Sequence, residues 1–76
     1  MADAVPTMME MAKARPDPKA VSQWLSAYLG KRPLEMKRAL LDGFETEIKT
    51  KYAGPQHTRA ATLVLKMIQK VRESLR

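Results

Sequence analysis

The sequence offers few side chains that could carry out covalent chemistry. It has no cysteine and a single histidine, His57, which stands between Gln56 and Thr58 in a predicted turn. A catalytic triad needs a nucleophile with an oriented base, and a zinc site needs several Cys or His ligands. The three glycines are isolated, so no glycine-rich phosphate loop is present. We therefore predict that the protein is not an enzyme and holds no metal and no cofactor.

Basic side chains toward the C-terminus are the strongest functional signal. Residues 1–48 contain seven basic and seven acidic residues, whereas residues 49–76 contain seven basic residues and one acidic residue. The whole net charge of +6 therefore lies in the last 28 residues. Cations that project from one exposed face of a helix can follow a phosphate backbone, although the same residues also make an ordinary solvated face or attract an acidic protein or a lipid. The predicted nucleic-acid-binding residues are Lys49, Lys51, Arg59, Lys66 and Lys70.

Prolines and glycines divide the chain into helical segments that would position these cations. Apolar residues recur every three or four positions in three stretches, which predicts amphipathic helices at about 18–29, 34–52 and 56–74. Asp17 and Pro18 have the types expected at a helix start. Gly54 is expected to adopt a left-handed conformation after the second long helix, and Gly43 is expected to mark a close helix crossing or a bend.

The fold class predicted from these segments is all-α, a small bundle of three amphipathic helices in one domain spanning residues 17–76. Residues 1–16 form a Met-rich segment that is either a short accessory helix or mobile. The spacing of Thr7 and Glu10 is that of a capping box, so such a helix would begin at Thr7. The bundle could also dimerise if three helices leave apolar surface uncovered.

The aromatic residues and the turn before the last helix leave alternatives open. Trp24 lies within an apolar stripe and is expected at the centre of the core, whereas Tyr52 ends its stripe beside basic residues and could stack on a base. The turn at Gly54 could belong to a DNA-reading helix-turn-helix. The long helix before it instead favours a plain hairpin connection.

Two functions remain from these patterns. The first is a small accessory or regulatory protein that contacts nucleic acid through a basic C-terminal helix. The alternative is a protein-binding module, an adaptor or inhibitor, which uses exposed helical apolar surface and the flexible thioethers of Met8, Met9 and Met11. No apolar run has the length of a signal peptide or a membrane span, so we expect a cytoplasmic protein that is not secreted.

Overall fold

A computed structural model describes residues 4–75, and these residues form a compact all-helical bundle. Four α-helices follow one another: α1 (Ala4–Ala14), α2 (Pro18–Leu29), α3 (Leu34–Lys51) and α4 (Thr58–Ser74). A 3-10 turn, Pro55–His57, leads directly into α4. The predicted all-α class is confirmed for this part of the chain.

Local hydrogen bonds explain where α2 begins and ends. The Asp17 carboxylate accepts from the backbone N–H groups of Lys19 and Ala20, at 3.1 and 3.4 Å, and Pro18 occupies the first helical turn. At the other end Gly30 adopts φ 55°, and the Arg32 guanidinium donates to the carbonyl oxygens of Tyr28 and Leu29. These contacts satisfy backbone groups that lack a partner within the helix.

The three glycines differ in what they do for the backbone. Gly30 is the one with positive φ in the described residues, whereas Gly54 has φ −67° and ψ 154°, so the left-handed conformation predicted for Gly54 is wrong. Gly54 instead is the extended residue that precedes the 3-10 turn. A Cβ atom at Gly43 would meet no atom within 4 Å, so the close helix crossing predicted there is absent within residues 4–75.

Opposite stability changes are expected when Gly43 and Gly30 are each replaced by alanine. Gly43→Ala should raise the free energy of unfolding by about 0.5–1 kcal/mol, because Gly43 is exposed in the middle of α3 and alanine restricts the unfolded chain. Gly30→Ala should lower it by about 1 kcal/mol, because φ 55° places a Cβ in a disfavoured region. Urea unfolding followed by circular dichroism measures both. Changes of the same sign would contradict this assignment.

The hydrophobic core draws on all four helices. The seventeen buried apolar residues include Leu25 of α2, Leu41 of α3 and Ile68 of α4. Both α1 and α4 pack against each of the other three helices, whereas α2 and α3 make few direct contacts, among them the edge-to-face pair of Tyr28 and Phe44 with ring centroids 5.8 Å apart. The bundle is therefore organised around α1 and α4.

Helix α1 is a full member of the bundle. Five of the seventeen buried residues come from it. Thr7 is exposed inside this helix, so the prediction that the helix begins at Thr7 is wrong. Of the two states considered for the Met-rich segment, residues 4–14 are in the helical one, and residues 1–3 lie outside the described part. The buried residues of α1 are Ala4, Val5, Met8, Met9 and Ala12.

Two apolar residues lie nearer the surface than their stripes predict. Trp24 is half-buried and stacks on Tyr28, with ring centroids 5.3 Å apart, while Leu25 beside it is completely buried. Trp24 is therefore not the centre of the core. Met36 is 49% exposed, and the first buried residue of α3 is Leu41, more than one helical turn later.

A small ion-pair network joins α3 to α4. The Arg72 guanidinium donates to Asp42 at 2.8 Å and to Glu45 at 2.9 Å, and Lys49 pairs with Glu45 at 2.8 Å. Hydrogen bonds from Lys49 and Arg72 lower the pKa of Glu45 from its ordinary value of 4.5. The network therefore favours the ionised carboxylate in the folded protein.

The stability supplied by Glu45 is expected to depend on pH. Because folding lowers the pKa of Glu45, its contribution is complete above pH 4.5 and is lost as the pH falls through the folded-state pKa. Glu45→Gln should therefore be less stable than the parent protein at neutral pH, and the difference should shrink in acid. Urea unfolding at several pH values measures this. Glu35 makes no ion pair within residues 4–75, so an equal pH-dependent loss in Glu35→Gln would rule out the pairing as the cause.

Candidate nucleic-acid interface

Helix α4 presents three of the five predicted cations on one face. Arg59, Lys66 and Lys70 are separated by seven and four residues, which is about two turns and then one turn of an α-helix. All three are exposed and line the same open groove between α4 and the beginning of α2. At about 1.5 Å per residue, they span about 16 Å along the helix axis.

This groove has a basic rim and an apolar floor. Its volume is about 540 Å³, and its floor is formed by Leu63 and Met67 of α4 with Pro18 of α2. Thr58 and Thr62 line it as well. The groove continues past Lys70 into a second depression that is bordered by Asp17 and Lys19 of α2, with Ser22 and Gln23. The two depressions share Pro18, Met67 and Lys70, so they form one surface feature.

Two further cations extend this surface. Lys19 borders the groove beyond Lys70, and Lys13 at the end of α1 shares another depression with Arg59. None of these side chains makes an ion pair within the described part of the chain. Asp17 is the acidic residue that lines these depressions, and its carboxylate is occupied in capping α2. We call this surface the basic band; its members are Lys13, Lys19, Arg59, Lys66 and Lys70.

The other two predicted cations do not join the basic band. The Lys49 ammonium is held by Glu45 at 2.8 Å and lines a depression with Tyr52 and Leu65 that adjoins the groove at Thr58 and Thr62 but shares none of the cations of the band. Lys51 is exposed in the last turn of α3 and lines none of the depressions that border the band. The structure thus brings together three of the five predicted residues and separates the remaining two.

Charge counting alone could not find Lys13 and Lys19. Both lie in the first 48 residues, where acidic and basic residues are equal in number, and neither continues the spacing seen along α4. They reach the band because α1 and α2 pack against α4. Conversely, Lys49 and Arg72 belong to the C-terminal excess of charge but are neutralised by Asp42 and Glu45.

Tyr52 lies beside His57 and not on the basic band. Their rings meet edge to face with centroids 5.0 Å apart. The Nδ1 atom of His57 is buried and has no hydrogen-bond partner within residues 4–75. The pair closes the turn between α3 and α4, and Tyr52 packs against the core from its edge. This placement gives Tyr52 a packing partner at the turn.

The methionines predicted to bind a partner protein lie at the core. Met8 and Met9 are completely buried, and Met11 is half-buried and packs against the same core. Met8 and Met9 could contact a partner only if α1 left the bundle. Met8, Met9 and Met11 therefore present little of their thioether surface to solvent in this fold.

Comparison with protein-family profiles, with curated proteins and with solved structures finds no match to this chain. Within residues 4–75, none of the helices has the length and apolar character needed to cross a membrane. The same residues contain no cluster of three or more His, Asp or Glu side chains placed to hold a metal ion.

Proposed function

We propose that this protein is a small, non-enzymatic accessory or regulatory protein of the cytoplasm that contacts the phosphate backbone of nucleic acid. The supporting observation is the basic band, five cations from three helices that border adjoining depressions and make no ion pair within the described residues. Cations that are not already paired can neutralise phosphates without first losing a protein partner.

The dimensions and charge of the band define what it would contact. The three cations on α4 extend over about 16 Å, which corresponds to about five base pairs at about 3.4 Å per pair. If each of the five cations meets one phosphate, the logarithm of the association constant should fall against the logarithm of salt concentration with a slope of about −4.5 on duplex DNA. Phosphate contacts alone carry no direct sequence information. The expected binding is thus salt-sensitive and tolerant of sequence.

Charge reversal at the centre of the band tests this function. We expect Lys66→Glu/Lys70→Glu to weaken binding to a fluorescein-labelled, mixed-sequence duplex by about 100-fold at low salt, and to reduce the salt slope to about −2.7. Fluorescence anisotropy over a salt series measures both quantities. Circular dichroism verifies that the variant is folded, as expected for two exposed side chains.

A matched variant separates local contact from net charge. Lys31→Glu/Arg38→Glu changes the charge by the same amount at exposed positions that line none of the depressions at the band. It should retain the salt slope of the parent protein. Equal losses in both variants, or no loss in Lys66→Glu/Lys70→Glu, would contradict contact through the band. Light scattering with size exclusion, with and without the duplex, determines whether a monomer or a homodimer binds.

A further inference from the structure

We propose that the groove beneath the basic band also receives an acidic amphipathic helix from a partner protein, and that this helix displaces nucleic acid. The displacement rests on the proposed function, whereas the docking rests on the groove itself. The inference thus gives the same surface a protein partner and a means of regulation.

The apolar floor of the groove favours a protein partner. Pro18 is exposed and Leu63 is half-buried, and both line the groove above Met67, which is only 4% exposed. A phosphate backbone has no apolar group to cover these side chains. A helix with Leu or Met on one face can cover the floor, as amphipathic helices do when they bind between two others.

The cations around this floor favour a partner helix with acidic side chains. Arg59, Lys66 and Lys70 lie on the α4 side, and Lys19 lies on the α2 side. A docked helix would therefore meet three cations along its α4 flank and Lys19 at one end of its α2 flank, so Asp or Glu beside its apolar stripe would be complementary to the groove. A second copy of this chain is less suitable because each copy carries a net charge of +6.

The length of the groove sets the size of the docked segment. The cations of α4 span about 16 Å, which matches about eleven residues, or three turns, of a helix lying along them. Isolated helices of this length are marginal in water, so the segment would gain much of its order on binding. The same cations cannot pair with carboxylates and phosphates at once, so the two partners compete.

Synthetic peptides test the docking directly. The first probe is a labelled peptide of about 16 residues in which Leu recurs every third or fourth position and Glu occupies the flanking positions. The second probe keeps every Glu but replaces each Leu with Ser. We expect the Leu peptide to bind at least tenfold more tightly in fluorescence anisotropy, because only its side chains can bury apolar surface against the floor of the groove. Equal binding of the two peptides overturns the inference, because charge alone would then explain it.

Variants of the groove separate the floor from the rim. Leu63→Gln should weaken the Leu peptide about tenfold while leaving duplex affinity within about twofold, whereas Lys66→Glu/Lys70→Glu should weaken both. If Leu63→Gln fails to fold, Thr62→Phe replaces it as the test variant. Thr62 is exposed and lines the groove, so the phenylalanine ring would fill the space that the peptide needs. A peptide affinity that is unchanged in the folded floor variant contradicts docking in this groove.

A competition experiment distinguishes failure of the inference from failure of the proposed function. The unlabelled Leu peptide should release a bound labelled duplex from the parent protein at concentrations that saturate the peptide site. If the protein binds the duplex and the peptide simultaneously, the regulatory inference fails while the proposed function stands. If the protein binds the peptide but no duplex, the proposed function and the displacement both fail, and the docking groove remains.

Discussion

Replacing Met8 with alanine is expected to lower the free energy of unfolding by about 2–5 kcal/mol. The Met8 side chain has 0% exposure and lies among buried residues contributed by all four helices. Removing the side-chain atoms beyond Cβ would leave a cavity that the surrounding helices can only partly fill. For a chain of 76 residues, total stability is about 4–11 kcal/mol, so this single change removes a large share of it.

The same substitution at the surface supplies the control. Met36 is 49% exposed near the N-terminal end of α3, so Met36→Ala should change the free energy of unfolding by less than about 0.5 kcal/mol. Urea unfolding measured by circular dichroism compares the two variants under one set of conditions. Similar small losses at both positions would show that α1 is not packed into the core as described.

Removal of residues 1–16 is expected to have a still larger effect, namely loss of the cooperative fold of residues 17–76. Burial of Val5, Met8 and Met9 contributes about 1.5–3 kcal/mol each, which together is comparable to the whole net stability. Without α1, the faces of α2 and α4 that it covers would be exposed to water. The truncated chain should therefore unfold or associate.

The truncation also tests the bundle as a single unit. Thermal unfolding and the dispersion of amide resonances would distinguish a folded remainder from an unordered chain. If residues 17–76 unfold cooperatively as a monomer, the result would support the three-helix domain predicted from the sequence, in which α1 is an accessory helix. The double variant Thr7→Ala/Glu10→Ala, which alters exposed side chains of α1, should stay folded and serves as the control.

Local signals in the sequence identified most of the helix boundaries. The cap at Asp17 with Pro18 and the stop at Gly30 depend on neighbouring residues, and the observed α2, Pro18–Leu29, agrees with the predicted range. The second long helix was predicted at 34–52 and is observed at Leu34–Lys51. Such boundaries follow from hydrogen bonds between residues a few positions apart.

The outcome of packing between distant residues was harder to predict. Met36 follows the same periodicity as Leu40 and Phe44, yet it is 49% exposed, whereas Phe44 is buried. Periodicity indicates which face of a helix is apolar, but not how far along that face a neighbour extends.

The basic band was likewise predictable from the sequence within one helix but not between helices. The spacing of Arg59, Lys66 and Lys70 is a property of one helix and was visible in the sequence. The contribution of Lys13 and Lys19 depends on how α1 and α2 meet α4, and the neutralisation of Arg72 depends on its contact with Asp42 of α3. These are tertiary facts that no count of charges contains.

The contact between α1 and α4 has a consequence for synthesis on the ribosome. Among the described helices α1 is made first and α4 last, yet each packs against the other. At about 5–20 residues per second, Met8 and Met9 would remain without their partner helix for several seconds after they emerge. The nascent chain would thus carry an uncovered apolar helix until translation of α4 ends, a period in which chaperones that bind exposed hydrophobic segments have access to it.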